Sequence, residues 1–123
     1  MKIHIDDTRT INQVKQEFMV AFEFLKLEFF VAPHQSGKGS KKSELIPNNT
    51  SLQSLRTKHT SGDLVITADM TVSQVERAFQ DTFGLYAQVF RLSGKLWLET
   101  TVTDSWTLAQ QMEQAAIMQL PAE

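Results

Sequence analysis

A chain of 123 residues with 41% apolar and 21% charged side chains has the composition of one compact domain, and no apolar run approaches the roughly 18 residues that span a bilayer. The absence of cysteine excludes disulfides, thiolate metal sites and a cysteine nucleophile, and makes a reducing cytoplasm the simplest compartment. Charge is uneven: Lys38, Lys41, Lys42, Arg56 and Lys58 against Glu44 give residues 31–62 a charge of +4, so the net −2 leaves −6 on the remainder.

The opening Met1-Lys2-Ile3-His4-Ile5-Asp6 alternates and carries acid early, unlike a signal peptide, and Ile3 and Ile5 mark one face of a half-buried strand. Thr10 followed by Gln13 predicts a capping box, in which the Thr oxygen accepts from a free amide and Gln reaches back to the cap. Ile11, Val14, Phe18 and Phe22 then share a helix face and are read as core rather than as a ligand box. Leu25, Leu27 and Phe29 alternate along a second strand, and residues 33–42, rich in Gly, Ser and Lys, form a loop. Glu44-Leu45-Ile46 is a third strand, stopped by Pro47. Thr50 with Gln53 predicts a second box, opening a short helix over Leu52 and Leu55.

Residues 57–63 turn the chain into Leu64-Val65-Ile66, a fourth strand. Thr71 with Gln74 caps a helix to Phe83, and Gly84 stops it. A strand over 86–91, a tight turn at Ser93-Gly94 and the strand Leu96-Trp97-Leu98 make a hairpin. The buried face of 86–91 stays open, because Gln88/Phe90 and Ala87/Val89 fit equally. Thr107 with Gln110 begins a last helix through Met112, Ala115 and Ala116.

The order repeats. Thr10-Ile11-Asn12-Gln13-Val14 with Phe18 and Phe22 recurs as Thr71-Val72-Ser73-Gln74-Val75 with Phe79 and Phe83, an offset of 61 that reaches back to Ile3/Leu64 and Ile5/Ile66. The chain is therefore expected to be a single α+β domain, 1–123, built from two pseudo-symmetric βαββα repeats, 1–61 and 62–123. Joined, they give the ferredoxin-like order and one six-stranded, mixed or antiparallel sheet, 2-3-1-4-6-5, with four helices on one face. Two separate three-stranded lobes are the alternative, disfavoured because a half of about 60 residues has a marginal core.

With Ile3, Ile5, Leu64, Ile66, Leu27, Phe29, Leu96 and Leu98 turned to the helices, such a sheet leaves an open face carrying His4, Val65, Phe30, Glu28, Trp97 and Glu99. Trp97, Val65, Phe30 and Glu99 are the expected protein interface, with Trp97 and Val65 on adjoining strands at its centre, since aromatics are enriched in interface cores. The alternative is an anion or nucleic-acid contact along a basic edge, residues 34–42 and 56–59, using His34, Lys38, Lys41, Lys42, Arg56 and Lys58. Ser36-Gly37-Lys38 is not a Walker A loop, because Ala32 stands where its first Gly belongs.

His4-x-Asp6 supplies too few ligands for a metal, no serine sits in a nucleophile elbow and no carboxylate pair has catalytic spacing. Asp6-Asp7 reads as favourable charge at a helix start. No catalytic residue, metal or cofactor is assigned. The leading expectation is a non-catalytic interaction module, a homodimer or the small subunit of an assembly; a small-molecule enzyme or ligand carrier is the second alternative.

Overall fold

The computed structural model describes residues 1–31 and 45–120. The expected loop at 33–42, Glu44, and the candidates His34, Lys38, Lys41 and Lys42 lie outside them.

Alternation and capping set the local structure. The elements are β1 (Lys2–Ile5), α1 (Ile11–Ala21), β2 (Leu25–Phe30), α2 (Leu52–Leu55), β3 (Gly62–Val65), α3 (Val72–Phe83), β4 (Tyr86–Ser93), β5 (Leu96–Glu99) and α4 (Leu108–Met118). Thr10, Thr71 and Thr107 each accept from the amide three residues on, and Gln13, Gln74 and Gln110 each return a bond to the cap. Three predicted boxes therefore form. The fourth does not: Ser51 caps α2 by accepting from the Ser54 amide, while the carbonyl of Thr50 accepts from Ile11. Thr50 is displaced from the cap because its backbone serves α1. Gly84 ends α3 in the left-handed region, at φ 65°, where an added Cβ would be strained.

The six-stranded sheet is not formed. Among the described residues β1 pairs with β3 alone, antiparallel, with Ile3 opposite Leu64. A separate three-stranded sheet has the order β2-β4-β5, antiparallel throughout. The pairing of the first strands of the two halves is as expected, and so is the β4–β5 hairpin. What differs is β2, which takes β4 as its partner, with Leu27 opposite Val89. On its other side the expected third strand shrinks to one bridge, Phe30 to Leu45, with Ile46 donating to Phe29 O. The ferredoxin-like order would need a neighbour on the outer edge of β1. There the Arg9 guanidinium occupies the His4 carbonyl at 2.7 Å, removing an acceptor that an added strand would use. With two sheets, no single face exists for four helices to share.

Both sheets also draw strands from both halves, which excludes the two-lobe alternative. They close on one core: Ile3, Ile5 and Leu64 from the first, and Leu25, Leu27, Phe29, Ala87 and Val89 from the second, join Phe18, Phe79 and Leu108 of the helices. The phase of β4 is settled by this. Ala87 and Val89 stand opposite Phe29 and Leu27 and share their core face. Phe29 and Phe79 meet edge to face, with ring centroids 5.6 Å apart. Burying each such ring is worth roughly 1.5–3 kcal/mol.

Candidate interaction surface

The β4–β5 hairpin turns at Gly94, φ 61°, and Lys95, so the turn sits one residue later than Ser93-Gly94 suggested. Its register places Leu96 opposite Ser93, Trp97 opposite Leu92, Leu98 opposite Arg91 and Glu99 opposite Phe90. The Leu92 amide donates to Phe24 O at 2.9 Å, toward β2 and away from β5. Leu92 and Trp97 are therefore a non-hydrogen-bonded pair, and by alternation the amides and carbonyls of Trp97 and Glu99 point to the outer edge of β5. Among the described residues no strand pairs with that edge.

The faces of β5 follow from the same register. Leu98 lies across from Arg91, and Arg91 across from Leu25 of the core. Arg91 also bonds Gln111 Oε1 of α4 at 2.6 Å and lies 5.7 Å from the Trp106 ring centroid, so this is the side on which α4 packs. Leu96 and Leu98 were expected to be covered there. They remain 69% and 40% exposed, because Leu108, Gln111 and Ala115 of α4 turn inward while its far end turns out. At that end Ile117 is 54% and Leu120 70% exposed. Gln119 ties the end to the hairpin: with its amide turned so that both of its groups are satisfied, it donates to Gly94 O at 3.1 Å and accepts from Gly94 N at 3.2 Å. Leu96 and Leu98 of β5 are thus exposed beside the hairpin turn, and Ile117 and Leu120 are exposed on the end of α4 that Gln119 joins to it.

Trp97 occupies the opposite face of β5. It is half-buried beneath Lys26, whose Nζ lies 4.8 Å from the indole centroid and 5.5 Å from that of Phe90. Glu99 is exposed at the end of the strand. Val65 is exposed too, but on β3, opposite Lys2 and in the other sheet. Trp97 and Val65 therefore do not lie on adjoining strands, since that adjacency required the six-stranded order. Phe30 leaves the open-face group altogether: at 4% exposure it is buried.

The described part of the basic edge is bonded to its own chain. Arg56 is buried, with Nε and Nη2 on Asp7 Oδ1 at 3.1 and 3.0 Å and Nη1 on the carbonyls of Thr60 and Phe83. Lys58 donates to Asp81 O at 2.6 Å, in the last turn of α3, where a cation meets free carbonyls. His59 bonds Asp7 Oδ2 at 2.8 Å. Asp7 is thus an anchor for Arg56 and His59, and Asp6 accepts from the amide and hydroxyl of Thr8. Neither serves as helix-start charge, and α1 has no acid in its first turn.

His4 spans two carboxylates, with Nδ1 2.9 Å from Asp63 Oδ1 and Nε2 2.9 Å from Asp6 Oδ2. Asp63 faces it directly across the β1–β3 pair. The hydrogen bond to Asp63 is the largest cause of a raised His4 pKa, opposed by desolvation and aided by Asp6. Asp6 is lowered, first by the Thr8 hydroxyl and amide and then by His4. Among the described residues no group of three or more His, Asp or Glu side chains is placed to hold a metal. An open groove of about 390 Å³ lies between the β1 end and α1, lined by Met1, Lys2, Gln16, Glu17, Val20 and Ala21, and contains no constellation for bond chemistry.

The sequence reading missed Leu96 and Leu98 as surface residues. The signal was available in Lys95-Leu96-Trp97-Leu98-Glu99, an apolar run of three between opposite charges at the edge of a hairpin. Comparisons with protein families, with curated proteins and with solved structures give no match.

Proposed function

We propose that the protein is a non-catalytic interaction module that works by self-association or as the small subunit of an assembly. The observation that carries this reading is the exposure of Leu96 and Leu98 beside the outer edge of β5, with which no strand among the described residues pairs, together with the exposure of Ile117 and Leu120 at the end of α4. Clustered exposed apolar side chains on a folded domain mark contact sites, whereas single ones do not. The engagement of Arg56 and Lys58 within the chain weighs against a phosphate-binding edge, since an available cation is what neutralises a phosphate.

Sedimentation velocity across a wide concentration range, in low and high salt, tests the reading. The expected result is association that persists in high salt and is lost in the Leu98→Asp/Ile117→Asp variant, whose far-UV spectrum stays that of the wild type. A chain that stays monomeric alone and is shifted by a mixed oligonucleotide pool in low salt only would overturn it in favour of nucleic-acid binding.

A further inference from the structure

We infer that the partner of the β5 edge is a second copy of the same strand, paired antiparallel about a twofold axis through Trp97. This deepens the interaction reading and rests on it. The backbone limits the registers first. Trp97 and Glu99 direct their amides and carbonyls outward, while Leu96 and Leu98 direct theirs toward β4. Across a new antiparallel seam, an outward residue can exchange hydrogen bonds only with another outward residue. Registers that set Trp97 opposite Leu96 or Leu98 of the second copy are therefore excluded.

Side chains choose among the rest. With Trp97 opposite Trp97 of the second copy, Leu96 faces Leu98 and Leu98 faces Leu96, and both pairs lie on the face of β5 opposite to Trp97, where both leucines are exposed. Lys95 then faces Glu99, and Glu99 faces Lys95, so each end of the seam brings opposite charges together. Moving the seam by two residues sets Trp97 against Lys95 or against Glu99 and breaks both charge pairs. One register thus satisfies backbone, apolar and charged groups together, and in a twofold contact each of these pairs occurs twice, i with j and j with i. Two β2-β4-β5 sheets become one continuous six-stranded sheet. Charges used to keep an edge apart sit as like pairs or point inward. Here both are exposed and complementary to a second copy of themselves.

The test is a charge exchange followed by sedimentation equilibrium on the full chain. Lys95→Glu and Glu99→Lys each set like charges opposite one another twice per dimer and should each weaken association roughly tenfold. The double variant Lys95→Glu/Glu99→Lys restores opposite charges and should return association to near the wild-type value. In parallel, amide hydrogen exchange at Trp97 should slow as concentration rises. Single reversals without effect, or a double variant no better than either single, would overturn the register. Should the chain associate, lose association with Leu98→Asp/Ile117→Asp and yet ignore the charge exchange, the β5 pairing fails while the interaction reading stands. A chain monomeric at every concentration overturns the β5 pairing and leaves the interaction reading only in its form as the small subunit of an assembly.

Discussion

The two halves of the chain solve the same local problem with different chemistry. In both, a helix opens by bonding to the segment before the second helix: Ile11 and Asn12 donate to the carbonyls of Thr50 and Asn48, and Val72 and Ser73 to those of Trp106 and Asp104. Leu52 and Leu108 return bonds to Arg9 and Met70. The correspondence is 61 residues for α1 and α3 but 56 for α2 and α4, so the connection between them differs by five. The inward polar position differs as well. Lys15 of α1 reaches Glu28 Oε1 at 2.5 Å and Asn48 Oδ1 at 2.7 Å, whereas Glu76, the matching residue of α3, accepts from the Val89 amide at 2.9 Å. Glu28 and Val89 are also 61 apart. One half therefore carries a mostly buried ion pair where the other has a carboxylate on backbone. A shared backbone frame tolerates opposite charges at one position, provided each finds its own partner.

If the frame is shared, equivalent core truncations should cost alike. Phe18→Ala and Phe79→Ala each remove a fully buried ring and should each lower stability by about 3–5 kcal/mol in urea unfolding. A large inequality between them would show that the halves contribute unequally to the one core. The polar positions should instead differ. Lys15→Ala leaves the Glu28 carboxylate with Lys26 Nζ, 3.8 Å away, as its one cationic partner among the described residues, and should cost about 2–3 kcal/mol. Glu76→Gln keeps an oxygen for the Val89 amide and should cost less than about 1 kcal/mol. Equal losses from the two would remove the distinction drawn here.

The helix exits sharpen the comparison further. α3 is followed by Gly84 at φ 65°, whereas the turn after α1 sets Phe24 at φ 68°, a left-handed conformation that costs a side-chain-bearing residue about 1–2 kcal/mol. Gly84→Ala should destabilise by about 1–2 kcal/mol, because its Cβ would also meet Lys58 Cβ at 3.2 Å. The smallest effect concerns His4, which the second half replaces with Val65. Its raised pKa makes its contribution complete below pH 6.5 and lost as pH rises through the higher folded value. Asp6 has the opposite sense: its lowered pKa gives a contribution present above 3.8 and lost as pH falls through the folded value. Urea midpoints should fall slightly on going from below to above pH 6.5, and His4→Asn should flatten that step. An unchanged step in the variant would assign it elsewhere.

Much of the local structure was legible in the chain. Three capping boxes, the Gly84 stop, the α1 and α3 core faces and the inward turn of Ile3, Ile5, Leu27 and Phe29 are set by contacts within a few residues, or by alternation, and the chain records both directly. The pairing of β1 with β3 was legible too, because two short strands of equal pattern place Ile3 opposite Leu64. Which other edges meet was not. That depends on long-range competition: Arg9 claims the outer carbonyl of His4, and β2 takes β4 along its whole length. The same competition put Trp97 and Val65 in different sheets, and it left Phe30, bridged to Leu45 by its backbone, buried. It also left Leu96 and Leu98 in the open. Alternation tells a strand which side chains lie together, but it is indifferent to which neighbour supplies the other half of the ladder. That choice is made by the tertiary structure, where backbone groups far apart in sequence compete for the same partners.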